Sequence, residues 1–362
     1  RLWKEMESKK ISILLPSMIK SPVGGFLVAF EYANRLAADG HQVSLVYNAM
    51  RKGSDLTVRD YIRAVEPYFR YLWKGSPTWF KFHSSVKHVP VYALKESLVP
   101  KSDIYIATAR DTSDALAQFK GVSGSQKFYL IQGYEAWGIT KEELFLTWKY
   151  DMTKIVISKW LQDCLAEQGV DSLLVENGLD FDSFGMNVPI ESKRRHQVIM
   201  LYHHMKLKGS EEGIALLRRM KFRYPDLRVV LFGVYSTPEN LPDWMEYHQS
   251  PSREELCRLY NESSIYLGTS YSEGMGLTLC EAMQCGCAVV CTDIGGYRVV
   301  AEQEHTALMS EPGNLDLMMA NLSRVLDDDC LRSRLAENGH KAVQRLTWEN
   351  AYAGFKRALR LE

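Results

Sequence analysis

No run of about 18 apolar residues, the least a membrane-spanning helix needs, occurs anywhere in this chain of 362 residues. The first ten residues also lack the apolar core of a secretory signal and read as a frayed end or a leftover of expression. Neither charge sign is in excess, with 44 Lys and Arg against 44 Asp and Glu. That balance speaks against nucleic acid as the main partner, while leaving room for a local basic patch. Zinc-ligand spacing is missing too. Of the seven cysteines, Cys280, Cys285, Cys287 and Cys291 crowd together, yet Cys285-Gly-Cys287 does not suit a metal and no histidine stands near. Buried thiols in a reducing cytoplasm are the expectation. No GxGxxG follows the first apolar strand of either half, which disfavours a dehydrogenase. Short repeats and low-complexity tracts are absent.

What is present is alternation. The chain is long for one domain, and its 46% apolar content suffices for two α/β cores. Ile11–Leu15 suits a buried parallel strand. A loop from Ser17 closes on Gly24-Gly25, and Phe26–Asp39 reads as a helix stopped by Gly40. Strands are predicted at Val43–Tyr47, Ile104–Thr108, Phe128–Gln132 and Ile155–Ser158, followed by a helix over Lys159–Gln168. Residues 177–197 break the pattern with Asn177-Gly178, Pro189 and a charged run from Glu191 to Arg195. Alternation then restarts with strand Val198–Tyr202 and continues through strands Leu227–Phe232, Ile265–Gly268 and Ala288–Thr292, with helices between and three more after them. The expected fold class is α/β, with two doubly wound Rossmann-like domains facing a central cleft. The predicted boundaries are 1–184, 185–345 and a closing helix within 346–362.

Three constellations carry chemistry. In Glu273-Gly-Met-Gly-Leu-Thr-Leu-Cys-Glu281 one carboxylate precedes a helix N-terminus and the other lies inside that helix. A carboxylate accepts two hydroxyl hydrogen bonds, as a sugar diol requires, and unpaired helix amides bind anions. The bland alternative is a surface helix whose dipole Glu273 favours. His203-His204-Met-Lys206-Leu-Lys208-Gly209 follows the first strand of the second half, where doubly wound folds place ligand loops. A lysine there can neutralise a diphosphate, although loop lysines are usually just solvated. Gly24-Gly25 can let a phosphate or acceptor approach a helix start, or can be an ordinary turn.

These elements resemble the retaining glycosyltransferases of family 4, which have the GT-B fold. Glu273-x7-Glu281, Lys208-Gly209, and Gly24-Gly25 followed by Asn34 to Val43 carry the likeness, with Ile157-Ser158, Asn177-Gly178-Leu-Asp180 and Asp293-Ile-Gly295-Gly296. It covers most of Ile11 to Phe355 and is poor from Met50 to Ser102. The resemblance implies an N-terminal acceptor-side domain, a C-terminal nucleotide-sugar domain and a closing helix within 346–362 that crosses back to the first domain. It implies that Glu281 binds the ribose hydroxyls, that Glu273 holds the donor sugar, and that Lys208 binds the diphosphate with the amides of Gly276 and Leu277. Thr278, His203 and Gly25 complete the implied donor site. A lysine and a helix N-terminus stabilise the leaving group's growing charge, so neither a metal nor a cofactor is expected. Two departures stand out. His203 occupies the place of the family's usual arginine, and a pH-dependent cation is the weaker partner for phosphate. Where many relatives carry a histidine, this chain reads Leu130-Ile-Gln132-Gly-Tyr-Glu135-Ala-Trp137. Gln132 or Glu135 can stand in, Glu135 as a catalytic carboxyl or equally as a buried helix cap.

Arg59 to Pro90 is a basic, aromatic stretch with six Lys and Arg, two acidic residues and eight aromatics. It suits contact with a membrane surface, an extended glycan on its aromatic faces, or an insertion that packs its rings inward. The expected function is a cytoplasmic hexosyltransferase, peripheral at the inner membrane face if this stretch engages lipid. It would move a hexose or deoxyhexose from a nucleotide diphosphate sugar to a hydroxyl of a glycan or lipid-linked acceptor, with retention. A sugar-nucleotide epimerase or hydrolase, or a non-catalytic sugar-binding module, is the alternative.

Overall fold

The computed structural model describes residues 7–136 and 138–362. The N-terminal residues 1–6 and Trp137, both touched by the sequence expectations, lie outside the described residues. Two compact units divide the chain, one formed by the residues through Glu176 with Tyr352–Glu362, the other by Asn177–Ala351. Composition had placed the divisions at 184/185 and 345/346.

The first unit runs β1 (Lys10–Leu15), α1 (Gly24–Ala38), β2 (Gln42–Asn48), α2 (Val58–Lys74), β3 (Lys87–Val91), β4 (Ile104–Ala107), α3 (Arg110–Ala117), β5 (Lys127–Ile131), α4 (Lys141–Trp148), β6 (Thr153–Val156), α5 (Lys159–Glu167) and β7 (Leu173–Leu174). Its seven strands pair in the order β3-β2-β1-β4-β5-β6-β7, all parallel. The second unit runs β8 (Arg194–Leu201), α6 (Ser210–Arg223), β9 (Arg228–Gly233), β10 (Met245–Gln249), α7 (Arg253–Glu262), β11 (Ser263–Gly268), α8 (Leu277–Gln284), β12 (Ala288–Thr292), β13 (Ala307–Ser310), α9 (Leu315–Asp327), α10 (Asp329–Val343) and the start of α11 (Trp348–Ala358). Its sheet is β10-β9-β8-β11-β12-β13, again all parallel. Each is a doubly wound Rossmann-like layer, as expected. Central strands such as β1, β11 and β12 are buried apolar runs because helices cover both faces of a parallel sheet.

Several elements differ from the sequence expectation. Gly24 and Gly25 do not precede the first helix but form its first turn, after Val23 as N-cap. β8 starts four residues before Val198, so two arginines of the charged run belong to a strand, where Arg194 meets Glu262. The edge strands β3 and β10 are absent from the expectation. Half-exposed, they carry no continuous apolar run, and Pro90 sits where only an edge tolerates it. The aromatic stretch after residue 57 contains α2, started by a Thr57–Asp60 capping box and ended at Gly75. Five of the cysteines are buried free thiols, Cys330 is exposed and Cys164 is half-buried.

The first unit closes on the chain's last helix. Phe355 stacks on Tyr32 with ring centroids 3.8 Å apart. Asp39 Oδ2 accepts hydrogen bonds from Tyr352 Oη at 2.8 Å and Lys356 Nζ at 3.0 Å. Both rings of the stack are buried. Replacing Phe355 by Ala is therefore expected to destabilise the first unit by about 3–5 kcal/mol, read from urea unfolding. A loss below about 1 kcal/mol would show that the stack does not hold this helix.

Candidate functional site

In the second unit the chain order reverses between β8 and β11. Their following segments leave to opposite faces and part at the strands' C-terminal ends, the position where doubly wound sheets bind ligands. The segment after β8 carries His203 to Gly209, and the segment after β11 carries Thr269 to Gly276. They are laced together. Tyr271 N donates to Leu207 O at 2.7 Å, and Thr269 Oγ1 donates to Lys208 O at 3.0 Å. Gly209 has φ +62°, and a Cβ there would fall 2.2 Å from Thr269 O, so the approach needs glycine.

This lacing brings together two of the sequence-predicted residues. Lys208 Nζ donates to Glu273 Oε1 at 2.7 Å, with both side chains largely buried. Ser270 Oγ donates to the same oxygen at 2.8 Å. Immediately downstream, Gly276 (φ +71°) is the N-cap of α8 and supplies no capping side chain. The amides of Leu277 and Thr278 thus have no partner within the helix and carry the positive end of its dipole. Thr278 Oγ1 lies 2.8 Å from Tyr266 Oη. Burial, and then the carboxylates of Glu273 and Glu281, raise the pKa of that phenol, so Tyr266 lies within electrostatic reach of both glutamates.

Glu281 has its own partners. Tyr260 Oη donates to its Oε2 at 3.4 Å. Burial pushes its carboxyl up to about 7, against the opposing pull of the Arg253 charge and the Tyr260 hydrogen bond. Arg253 in turn pairs with Asp180. Ser270, Tyr260 and Arg253 were not picked out from the sequence. Asp180 stood in a noted turn motif, but nothing in the spacing of Arg253 links it to Glu281, 28 residues on in the numbering.

His203 is fixed as a neutral ring. Its Nδ1 accepts the Met205 amide at 3.0 Å, which leaves the proton on Nε2, 3.1 Å from Tyr235 Oη. Burial and then Lys208 lower its pKa. Tyr235 also stacks on His204 at 4.3 Å. Among the described residues no group of three or more His, Cys, Asp or Glu side chains is placed to hold a metal ion.

In the first unit the corresponding reversal lies between β1 and β4. Gln132 Nε2 donates to Gly25 O at 3.1 Å, and its Oε1 is buried with no hydrogen-bond partner. Glu135 Oε2 accepts the Arg110 amide, the first of α3, at 2.7 Å, the geometry of a helix cap. Burial raises its carboxyl to about 7, opposed by the Arg110 amide and charge and reinforced by Asp111 and Asp114.

The two units have the GT-B fold. Residues 188–342 match the family described as Glycosyl transferases group 1. Sucrose-phosphate synthase from Thermosynechococcus elongatus superposes with a TM-score of 0.72 at 16% identity, covering 97% of this chain and 98% of that one. Anabaena HepE in complex with UDP-glucose gives 0.71 at 15% identity, covering 97% and 99%. The chain is 30% identical to the Escherichia coli O-antigen chain mannosyltransferase B over 107 residues, 30% of this chain and 28% of the relative. It is 24% identical to the Mycobacterium tuberculosis phosphatidyl-myo-inositol mannosyltransferase over 204 residues, 52% of this chain and 53% of the relative. The chain thus matches about half or less of the length of these curated relatives.

The raised carboxyl of Glu281 has a consequence for stability. The native state holds this proton up to about pH 7, while the unfolded chain releases it near the ordinary 4.5. The resulting stabilisation is complete below about pH 4.5 and is lost as pH rises through about 7. Glu281→Gln is expected to flatten the fall in unfolding free energy between about pH 5 and pH 8 by on the order of 1–3 kcal/mol, measured with urea. An unchanged slope would show that Glu281 is solvated and ionised in the native protein.

Proposed function

We propose that this protein is a retaining hexosyltransferase. It takes a hexose or deoxyhexose from a nucleoside diphosphate sugar and delivers it to a hydroxyl of a glycan or lipid-linked acceptor. The observation that carries the proposal is the Lys208–Glu273 pair, laced between two sheet-end segments and followed at once by the uncapped start of α8. An ammonium group has three donors, so Lys208 can keep Glu273 while reaching a phosphate. The amides of Gly276, Leu277 and Thr278 receive the same diphosphate. Glu273 then presents its carboxylate to donor-sugar hydroxyls, and Glu281 accepts the ribose diol.

In the proposed step the acceptor oxygen bonds to the anomeric carbon as the bond from that carbon to the phosphate oxygen breaks. The acceptor's proton passes to the departing phosphate, whose charge Lys208 and the helix amides stabilise. No metal or cofactor is invoked. Since His203 is neutral, the cationic work falls on Lys208. In the first unit, Gly25, held to Gln132, is proposed for donor binding, and Glu135, its carboxyl raised to about 7, as a catalytic carboxyl. The mannosyl relatives and the UDP-glucose-binding neighbour set the first donors to try. A second reading, a sugar-binding module without transfer, draws on the neutral His203 in the arginine's place.

Calorimetry with a panel of nucleotide sugars, then product analysis with and without acceptor, separates transfer from hydrolysis, epimerisation and mere binding. Lys208→Ala and Glu281→Ala are each expected to cut donor turnover at least about 100-fold with the fold retained. Survival of more than about a tenth of the activity in both would overturn the assignment.

A further inference from the structure

Helix α2 is built inside out. Its packing against the first unit rests on Ala64 and Tyr71, which are buried, and on Tyr61 and Tyr68, which lie against Tyr92. The face beside this packed one carries Val58 (76% exposed), Ile62 (67%), Val65 (44%), Phe69 (64%), Leu72 (49%) and Trp73 (85%). Intervals of four, three, four and three residues set the first five in one row, and Trp73, next to Leu72, widens the stripe to about 100°. The neighbouring aromatics do pack inward, with Trp79, Phe80 and Phe82 closing on Phe30 at 5.3, 5.4 and 4.8 Å. The exposure therefore belongs to α2 and not to the whole stretch.

Along one flank of the stripe, helical geometry places Arg59, Arg63, Arg70 and Lys74. The acidic residues of α2 are engaged, Asp60 in the capping box and Glu66 with Arg70 at 2.6 Å. Among the described residues Arg59, Arg63 and Lys74 make no ion pair. At the C-terminal end of α2 a cavity of about 360 Å³ is lined by Lys20, Arg70, Lys74, Trp73 and Thr78, among others. Trp73 belongs both to the stripe and to this cavity, so the apolar face runs directly into a basic recess.

We propose that α2 is the surface by which this protein docks on an anionic lipid bilayer. The stripe enters the boundary between headgroups and acyl chains, and the recess of Lys20, Arg70 and Lys74 takes a lipid phosphate. Four of the six outward residues are aliphatic, with no stacking face or polar group for a glycan. A second copy of the chain would bring the same positive flank, whereas an anionic bilayer brings the opposite charge. The docking does not depend on the glycosyl-transfer reading.

The test is co-sedimentation with vesicles of phosphatidylcholine alone and with about a third phosphatidylglycerol. Binding is expected only with the anionic vesicles and is expected to weaken at least about tenfold from about 0.05 M to about 0.5 M salt. Ile62→Asp with Phe69→Asp should lose at least about tenfold in vesicle affinity while thermal unfolding and nucleotide-sugar calorimetry stay unchanged. Lys20→Ala with Lys74→Ala should remove the preference for anionic lipid. Equal recovery with neutral and anionic vesicles, recovery with neither, or a stripe variant that binds like the parent overturns the proposal. Self-association abolished by the stripe variant, without vesicle binding, assigns the face to a second copy and overturns it as well. Donor calorimetry on the same samples reports on the transfer reading separately.

Discussion

Two adjacent parallel strands whose chains leave to opposite faces of one sheet are the constraint on which the candidate site rests. Where β8 and β11 part, backbone groups at the sheet end lose their sheet partners and must be satisfied by the segments that follow. The structure meets this by lacing those segments to each other, Leu207 to Tyr271 and Lys208 to Thr269. The approach is so close that residue 209 has room for no Cβ. A consequence is that Lys208, on one segment, is delivered to Glu273, on the other, beside a helix start with unpaired amides. Positive charge and hydrogen-bond donors converge there because of chain topology.

The charges around this point are set apart by their surroundings. Glu273 has a lysine and a serine hydroxyl to satisfy it. Glu281, eight residues on, is held by Tyr260 and the more distant Arg253, and burial outweighs both. Two carboxylates of one short motif therefore stand in different environments, one matched by a cation and the other poised near neutrality. His203 illustrates the same principle: a single amide donated to Nδ1 fixes its tautomer and leaves it uncharged. Glu135 in the first unit is again a carboxyl lifted by burial and steadied by a helix start.

Much of the fold was legible because it is written in period and run length. The central strands β1, β2, β11 and β12 are apolar runs, and α6 and α7 carry helical periodicity between turn residues. Edge strands β3 and β10 were not legible, since half-exposed strands need no apolar run and are defined by their pairing with the strand before them. The extent of β8 was hidden for a similar reason: Ser263, not the local residue pattern, pairs with Arg194. Helix α2 shows the opposite case. In the sequence it reads only as part of a basic, aromatic stretch; its apolar residues do recur at helical spacing, but such a stripe normally points to the core, and only the packing of Ala64 and Tyr71 shows that here it stays exposed.

By itself the sequence determined the alternation of strands and helices, the parallel class of both sheets, and the spacing that sets a carboxylate on each side of a helix start. These are local properties, dictated by side-chain period, turn chemistry and unpaired helix-end amides. Tertiary structure alone decided that Lys208 meets Glu273 across 65 positions of sequence, that Arg253 and Tyr260 attend Glu281, that His203 is neutral, and that the α2 stripe faces outward. Most of these depend on which distant groups are brought together and how deeply each side chain is removed from water, although the amide that sets the tautomer of His203 is local, from Met205.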